Sequence, residues 1–348
     1  MQQELETNHT MIKVDGGNPL FATRRVAPDF KSPPVVVVGL PRSGTSFLSH
    51  VLTAIENWYV FDDFYFRRKA IGFGVNGSIT PEQLKKLAHW LTWQVRARIK
   101  WENDFSKPLC TLEDMDRMQG LLFDTFVDSS LTWPELLEEF LVRFALLHGK
   151  TRWGYKAPGE FLHLEELLTL FPDTKFIFCL RDPRAVMASY KFLEGKDGTK
   201  NVYHPIAYAK YWALAQQTLE QAQQNGLNVE LVLFEDAISN PIEVGKRLST
   251  FLGSDLNETC LPEGANTSFR RGKRKNITQT EEWLCEKICG REMAKLGYSS
   301  HAPSPQLSDL LDFLQTTLRF TSYQTRRVMY SNHARGAIFN VIRRTVGV

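Results

Sequence analysis

Two short segments of this chain carry residues whose types and spacing do chemistry on an anion. The first is Val35 to Leu48, VVVVGLPRSGTSFL. A run of β-branched residues there reads as a buried parallel strand. It passes through Gly39, Pro41, Arg42, Ser43 and Gly44 into an apolar-periodic helix, for which Thr45 or Ser46 is the expected cap. A strand, a tight glycine turn and a helix N-terminus converge backbone N–H groups where the helix dipole favours negative charge. The ligand class this implies is a phosphate or sulfate ester. The pattern departs from the nucleotide-hydrolysing loop G-x-x-x-x-G-K-[ST], because Thr45 stands where that loop has its lysine. The nearest cation is Arg42, whose guanidinium can fork onto two oxygens of one anion. The competing reading is a structural turn with a surface arginine.

The second segment is FIFCLRDPRAVMASYKFL. A strand over Lys175–Leu180 runs into Arg181, and Asp182-Pro183 is a favoured helix start. Ser189 lies eight residues after Arg181, about two helical turns away. Taken alone, this is a salt-bridged helix start common to many α/β proteins. Together, P-R-S-G-T-S after the first strand and R-D-P-R-x-x-x-x-S after a later one resemble the sulfotransferases that use 3′-phosphoadenosine-5′-phosphosulfate. The likeness runs through roughly residues 33–298. It is nearer the tyrosylprotein and carbohydrate branches, with their Pro-Arg-Ser-Gly-Thr loop, than the cytosolic branch.

The resemblance implies residue roles. Arg42, Ser43, Gly44, Thr45 and Ser46 would hold the 5′-phosphosulfate. Phe47 takes the place of a tryptophan that stacks on adenine in cytosolic relatives. Phe234 replaces a tyrosine near the same base. Arg181 and Ser189 would hold the 3′-phosphate, and Arg270, Arg271 and Gly272 would close over it, with Lys273 beside them. Lys156, in RWGYKAP, matches the Lys-x-Pro motif whose lysine helps the transferring sulfate; outside the resemblance it reads as a surface lysine. The product would be adenosine-3′,5′-bisphosphate, and no metal is implied.

The base is less directly marked. Pro158 occupies the place of the cytosolic branch's histidine. The tyrosylprotein branch has an acidic residue about twenty positions after the loop arginine, which lands on Asp63, beside Asp62, in YVFDDFYF. A solvated acidic loop is the equally weighted alternative, and His163 and His204 are fallback bases. Asp62 and Asp63 with Phe61, Phe64, Tyr65 and Trp90 or Trp93 would border an acceptor pocket suited to a cationic or polar small molecule. A guanidinium-bearing alkaloid is one example.

The elements needed to position these residues are legible. Strands are expected at Val35–Val38, Trp58–Phe61, Arg152–Tyr155, Lys175–Leu180 and Val229–Phe234, separated by helices. That pattern predicts a three-layer α/β/α fold with a central parallel sheet, in the P-loop-like sulfotransferase class by resemblance. The expected organisation is an N-terminal arm over 1–34, a catalytic domain over 35–300 with a helical acceptor-side insertion at 71–150, and a helical tail over 301–348. The segment 195–204 reads as a loop. The tail beyond Ser331 has the pattern of an amphipathic helix, expected to dock on its own chain, with a membrane-surface role as the alternative reading.

Composition sets outer bounds. The chain has 348 residues, 43% hydrophobic, with a formal net charge of +3. One large core is affordable, and a strongly polyanionic partner such as nucleic acid is not implied. Five cysteines lack metal-ligand spacing. No apolar run reaches membrane-span length, so stable membrane insertion is not expected and a cytoplasmic protein is. The expected partner is a small-molecule acceptor, with oligomeric state open. Two other classes remain in view. A small-molecule kinase would show a lysine directly after Gly44 and acidic magnesium ligands. A non-catalytic nucleotide-binding module would need the phosphate sites but not Arg42, Lys156 and a nearby carboxylate together.

Overall fold

The computed structural model describes residues 18–23, 25–26, 33–100, 108–195, 198–261 and 276–330. It contains two compact units. One holds the described residues up to Cys179 together with those from Ala222 to 261; the other holds the described residues of Leu180–Gln221 and 276–330.

The first unit is organised by a five-stranded sheet of order β2-β3-β1-β4-β5. In chain order its elements begin with β1 (Val35–Gly39), α1 (Thr45–Thr53) and β2 (Trp58–Phe61). Four helices follow: α2 (Phe66–Gly72), α3 (Pro81–Ile99), α4 (Leu112–Phe126) and α5 (Trp133–Leu147). Next come β3 (Arg152–Lys156), a 3₁₀ turn at Pro158–His163, α6 (Leu164–Leu170) and β4 (Lys175–Leu180). Helices α7 (Pro183–Lys191) and most of α8 (Pro205–Gln224) fall in the second unit. The chain then returns with β5 (Val229–Leu233), α9 (Phe234–Ser239) and α10 (Pro241–Leu252). The second unit is completed by α11 (Gln279–Lys295) and α12 (Leu310–Tyr330).

The sheet is parallel, and its two faces explain the runs of apolar residues. Alternate side chains point to opposite faces. Val35, Val37, Trp58, Val60, Ile177 and Cys179 pack with α1, α9 and α10 residues such as Leu48, Ala237 and Leu248. On the other face Tyr59 and Phe61 meet Phe144 of α5, Trp153 meets Phe171, and Phe178 meets Phe161. Helices on both faces of a parallel sheet make the expected three-layer α/β/α arrangement within this unit.

The register matters for the site. Phe61 pairs with Tyr155, so Asp62, just past the end of β2, comes beside Lys156, the last residue of β3. Strand order switches around β1, and ligands of such sheets sit beyond the carboxyl ends of the strands at that point.

Several expectations are corrected in detail. Strand β3 runs one residue further, so Lys156 is its last residue rather than the start of a loop. Phe234 is not the end of β5 but the first residue of α9. Its ring turns inward against the first loop, onto Gly44, on the core side that Val232 also faces. The expected arm is packed where it is described. Leu20 and Val26 are buried, and the Val26 N–H donates to both carboxylate oxygens of Glu139 at 3.0 Å. Arg143 donates to the Leu20 and Ala22 carbonyls.

Candidate active site

The loop after β1 is built by its glycines. Gly39 has φ 129°, and a Cβ there would lie 2.2 Å from the Cys179 carbonyl oxygen. Gly44 has φ 90°, and a Cβ there would meet the Phe234 ring at 2.0 Å. Gly44 is therefore both the left-handed turn residue and the seat of Phe234. It is also the N-cap of α1, in place of the expected Thr45 or Ser46. With no side chain, Gly44 supplies no cap hydrogen bond. The first-turn N–H groups of α1 are thus left without the side-chain partner that a Ser or Thr cap provides.

Around this turn, Arg42 is exposed and adopts φ 76°, a left-handed conformation that costs a non-glycine residue energy. Ser43 is fully buried, and its Oγ has no hydrogen-bond partner among the described residues. Thr45 is buried and Ser46 exposed. An orphaned hydroxyl, an uncapped helix start and an exposed guanidinium make a donor set that fits a phosphate or sulfate group. Phe47 and Phe234 are both buried and meet edge to face, with centroids 6.4 Å apart. In this structure their contact is with each other and with the core.

At the end of β3 stands a second group of charges. Lys156 is 2% exposed. Its Nζ donates to Ser46 Oγ at 2.7 Å and lies 2.8 Å from Asp62 Oδ1 and 2.9 Å from Asp63 Oδ1. The lysine thus joins the anion loop to the acidic turn. The two carboxylates differ: the Asp62 side chain is 18% exposed and that of Asp63 51%. Asp63 sits at φ 49°, a conformation more readily tolerated by Asp than by most residues. The Phe64 N–H donates to the Lys156 carbonyl at 2.8 Å and pins the turn to the strand.

Sequence reasoning missed Arg98. On α3 the buried positions Leu84, Leu87, Leu91 and Val95 continue to Arg98, a cation where the helical period calls for an apolar side chain. Its guanidinium lies 4.3 Å from the Phe61 ring centroid and donates to the Asp62 carbonyl. The signal was present as one arginine in an otherwise apolar stripe.

The expected aromatic rim of the acceptor pocket is largely core. Phe61, Phe64 and Trp90 are buried. Phe64 packs against Trp90 at 5.3 Å and Phe140 at 5.9 Å. Trp93 is exposed, and Tyr65 is half-buried beside the two aspartates. Of the fallback bases, His163 pairs with Glu166 at 3.2 Å, and His204 is occupied in the second unit as described below.

In the second unit Arg181 is 6% exposed, and its carbonyl accepts the Trp212 indole N–H at 2.8 Å. Ser189 lies on α7, half-buried. Asp182 caps α7 by accepting from the Arg184 N–H at 2.8 Å. Arg184 in turn faces Glu282 and Glu286. Those two glutamates and His301 have ligand atoms close enough for a metal. Arg184, Ser300 and the His301 ring already occupy their oxygens, so the group reads as an ion-pair network. Arg270, Arg271 and Gly272, with Lys273, lie outside the described residues.

Comparison with known proteins supplies an independent line. The family model described as "Sulfotransferase family" matches residues 33–258. A curated protein of Caenorhabditis briggsae, "Putative protein-tyrosine sulfotransferase", is 24% identical over 232 residues, covering 65% of this chain and 68% of that protein. Among solved structures, the sulfotransferase domain from the curacin biosynthetic pathway covers 77% of this chain and 99% of its own, at 18% identity and a TM-score of 0.49. The sulfotransferase domain of the Synechococcus PCC 7002 olefin synthase covers 85% and 98%, at 18% identity and a TM-score of 0.47.

Proposed function

Because the chain belongs to the sulfotransferase family, we propose that it moves a sulfuryl group from 3′-phosphoadenosine-5′-phosphosulfate to a hydroxyl or amine of a small, polar or cationic acceptor. The observation that carries this reading is the position of Lys156. One buried ammonium touches both the anion loop, at Ser46, and the acidic pair Asp62 and Asp63. A module that only binds nucleotide has no need of that junction, and a kinase would need a lysine at Thr45.

The donor supplies an activated sulfuryl group whose bridging bond to phosphate breaks as the acceptor bond forms. The protein's part is electrostatic and proton-handling, as in phosphoryl transfer. Arg42, the Ser43 hydroxyl and the first-turn N–H groups of α1 hold the phosphosulfate oxygens. Arg181 and Ser189 take the 3′-phosphate, the phosphate to which the family resemblance also assigns Arg270, Arg271 and Gly272. Lys156 neutralises the charge that grows on the leaving phosphate oxygen. Asp63, the more exposed carboxylate, accepts the acceptor's proton. Asp62, closer packed and fixed through Arg98, holds Lys156 in place. Phe234 supports the loop from beneath through Gly44. The surplus of carboxylate over ammonium favours a polar or cationic acceptor. All five cysteines are free thiols, in line with activity in the reducing cytoplasm.

The test is binding followed by turnover. Purified full-length protein should bind adenosine-3′,5′-bisphosphate in calorimetry without magnesium, and should bind ATP with magnesium far more weakly. Mass spectrometry of a polar-metabolite extract incubated with labelled donor should show products heavier by one sulfuryl group. Preference for ATP–magnesium, or donor binding without any transfer, would overturn the reading.

A further inference from the structure

Helix α12 is amphipathic in an unusual sense: both of its faces are apolar, and one of them is open. The inner face packs on its own unit. His204 meets the Phe313 and Phe320 rings at centroid distances of 5.6 and 5.2 Å, and its Nε2 lies 3.1 Å from Thr317 Oγ1. That contact fixes the rotation of the helix. Leu311, Leu314 and Leu318, at i, i+3 and i+7, then face solvent, with Leu307 and Leu310 continuing the strip. Leu307 is 90% exposed, Leu311 71% and Leu318 69%. Arg319 and Arg326, seven residues apart, line one flank of that strip and are exposed, as is Arg327.

Charge says what covers the strip. From Phe313 to Val348 the sequence holds six arginines, at 319, 326, 327, 335, 343 and 344, and no aspartate or glutamate. The whole chain carries only +3, so the positive surplus is concentrated at this end. A second copy of the chain would bring arginine flank against arginine flank with no acid to match. The carboxylate nearest in sequence, Asp312, is already paired with Lys191 at 3.0 Å. A nucleic acid would match the arginines but leave the leucines in water. A surface with negative headgroups over an apolar interior satisfies both.

We propose that the outer face of α12, with Arg319, Arg326 and Arg327, docks the protein on an anionic phospholipid surface. The helix lies in the interface rather than crossing it: no helix among the described residues is long and apolar enough to span a membrane. The leucines enter the headgroup–acyl boundary while the arginines stay at headgroup level. The cytoplasmic leaflet carries this negative potential. Docking does not depend on the catalytic reading.

The experiment is co-sedimentation of the full chain with vesicles of phosphatidylcholine alone and of phosphatidylcholine and phosphatidylserine in equal parts. Wild type should pellet with the mixed vesicles, not with phosphatidylcholine alone, and binding should weaken as salt rises. Two variants separate the forces: L311D/L318D breaks the apolar strip, and R319E/R326E/R327E reverses the flank. Each should lower vesicle partitioning at least about tenfold, given roughly fivefold per basic residue near such a surface. Both alter exposed positions, so circular dichroism and adenosine-3′,5′-bisphosphate binding should match wild type. The proposal fails if wild type does not pellet with the mixed vesicles. It also fails if the leucine variant binds as well as wild type, or if light scattering shows a dimer that L311D/L318D dissolves and that does not bind vesicles.

Discussion

Two buried ionic groups in the first unit differ in what they leave open. On α5, Glu139 and Arg143 are sealed, with side chains 0% and 1% exposed. Every oxygen and most nitrogens there have protein partners: each other, the Val26 N–H, and the Leu20 and Ala22 carbonyls. At the end of β3, Lys156 is as deeply buried, but its carboxylate partners reach solvent and outnumber it two to one. The closed group is balanced, and it fastens the N-terminal segment to α5. The open group keeps a carboxylate able to take a proton and a cation already pointed at the anion loop. The closed group has the full set of partners that burial of a charge pair requires, and the open group does not.

Breaking the open group should cost activity, and the largest effect is expected at Asp63. Asp63→Asn keeps size and removes basicity. Its kcat should fall by about 10²–10⁴-fold, and the acidic limb of the pH–rate profile should vanish. Thermal stability should stay near wild type, because the side chain is half exposed. If only the acceptor KM rises, Asp63 anchors a cationic acceptor instead of taking its proton.

Breaking the closed group should do the reverse. Glu139→Ala leaves the Arg143 guanidinium buried without its counter-charge, which should destabilise the fold by about 3–5 kcal/mol. Chemical denaturation would measure it. At low temperature, the kcat of the molecules that remain folded should be unchanged. A variant that is stable but slow would mean that this region reaches the site.

Arg98 links the two kinds of behaviour, because it is buried like Arg143 yet attached to the acidic turn. Arg98→Lys keeps the charge and loses the planar contact with Phe61 and the Asp62 carbonyl. We expect kcat to fall about tenfold, on the scale of one charge-assisted hydrogen bond, with donor KM unchanged and the acidic limb of the profile displaced. An unaltered profile with lowered stability would make Arg98 purely structural.

The smallest effect concerns pH and the closed side of the sheet. His148 stacks on Tyr59 with centroids 4.6 Å apart. Burial, with Lys150 nearby, lowers its pKa to about 4 from 6.5. The unfolded chain therefore takes up a proton before the folded one does as pH falls. Stability contributed by neutral His148 is complete above about 6.5 and is lost as pH drops toward about 4. Replacing it in His148→Gln should flatten that part of the stability–pH curve while leaving the pH–rate profile unchanged.

What was legible beforehand follows from the range of each signal. β-Branched runs marked the strands because burial on both faces needs them, so Trp58–Phe61 and Lys175–Leu180 emerge with their expected bounds. The glycine turn was legible because its backbone demands glycine locally. The meeting of Asp62 with Lys156 was not, since it depends on β2 lying beside β3, a choice made by packing across the sheet. Phe234 was misread as strand because its last turn inward is set by the space over Gly44. Arg98 was hidden in a stripe whose period is that of any core-facing helix. The burial of Leu20 and Val26 was hidden too, because its anchor is a buried ion pair on a distant helix.

The central claim is that Lys156 stands at the reacting bond. Its most direct test is kcat for labelled sulfuryl transfer by Lys156→Met at saturating donor, alongside calorimetric binding of adenosine-3′,5′-bisphosphate. The account predicts a fall in kcat of about 10²–10³-fold, with product binding within a few-fold of wild type. An unchanged kcat with only a raised donor KM would contradict it, and would leave the lysine as a strut between Ser46 and the two aspartates.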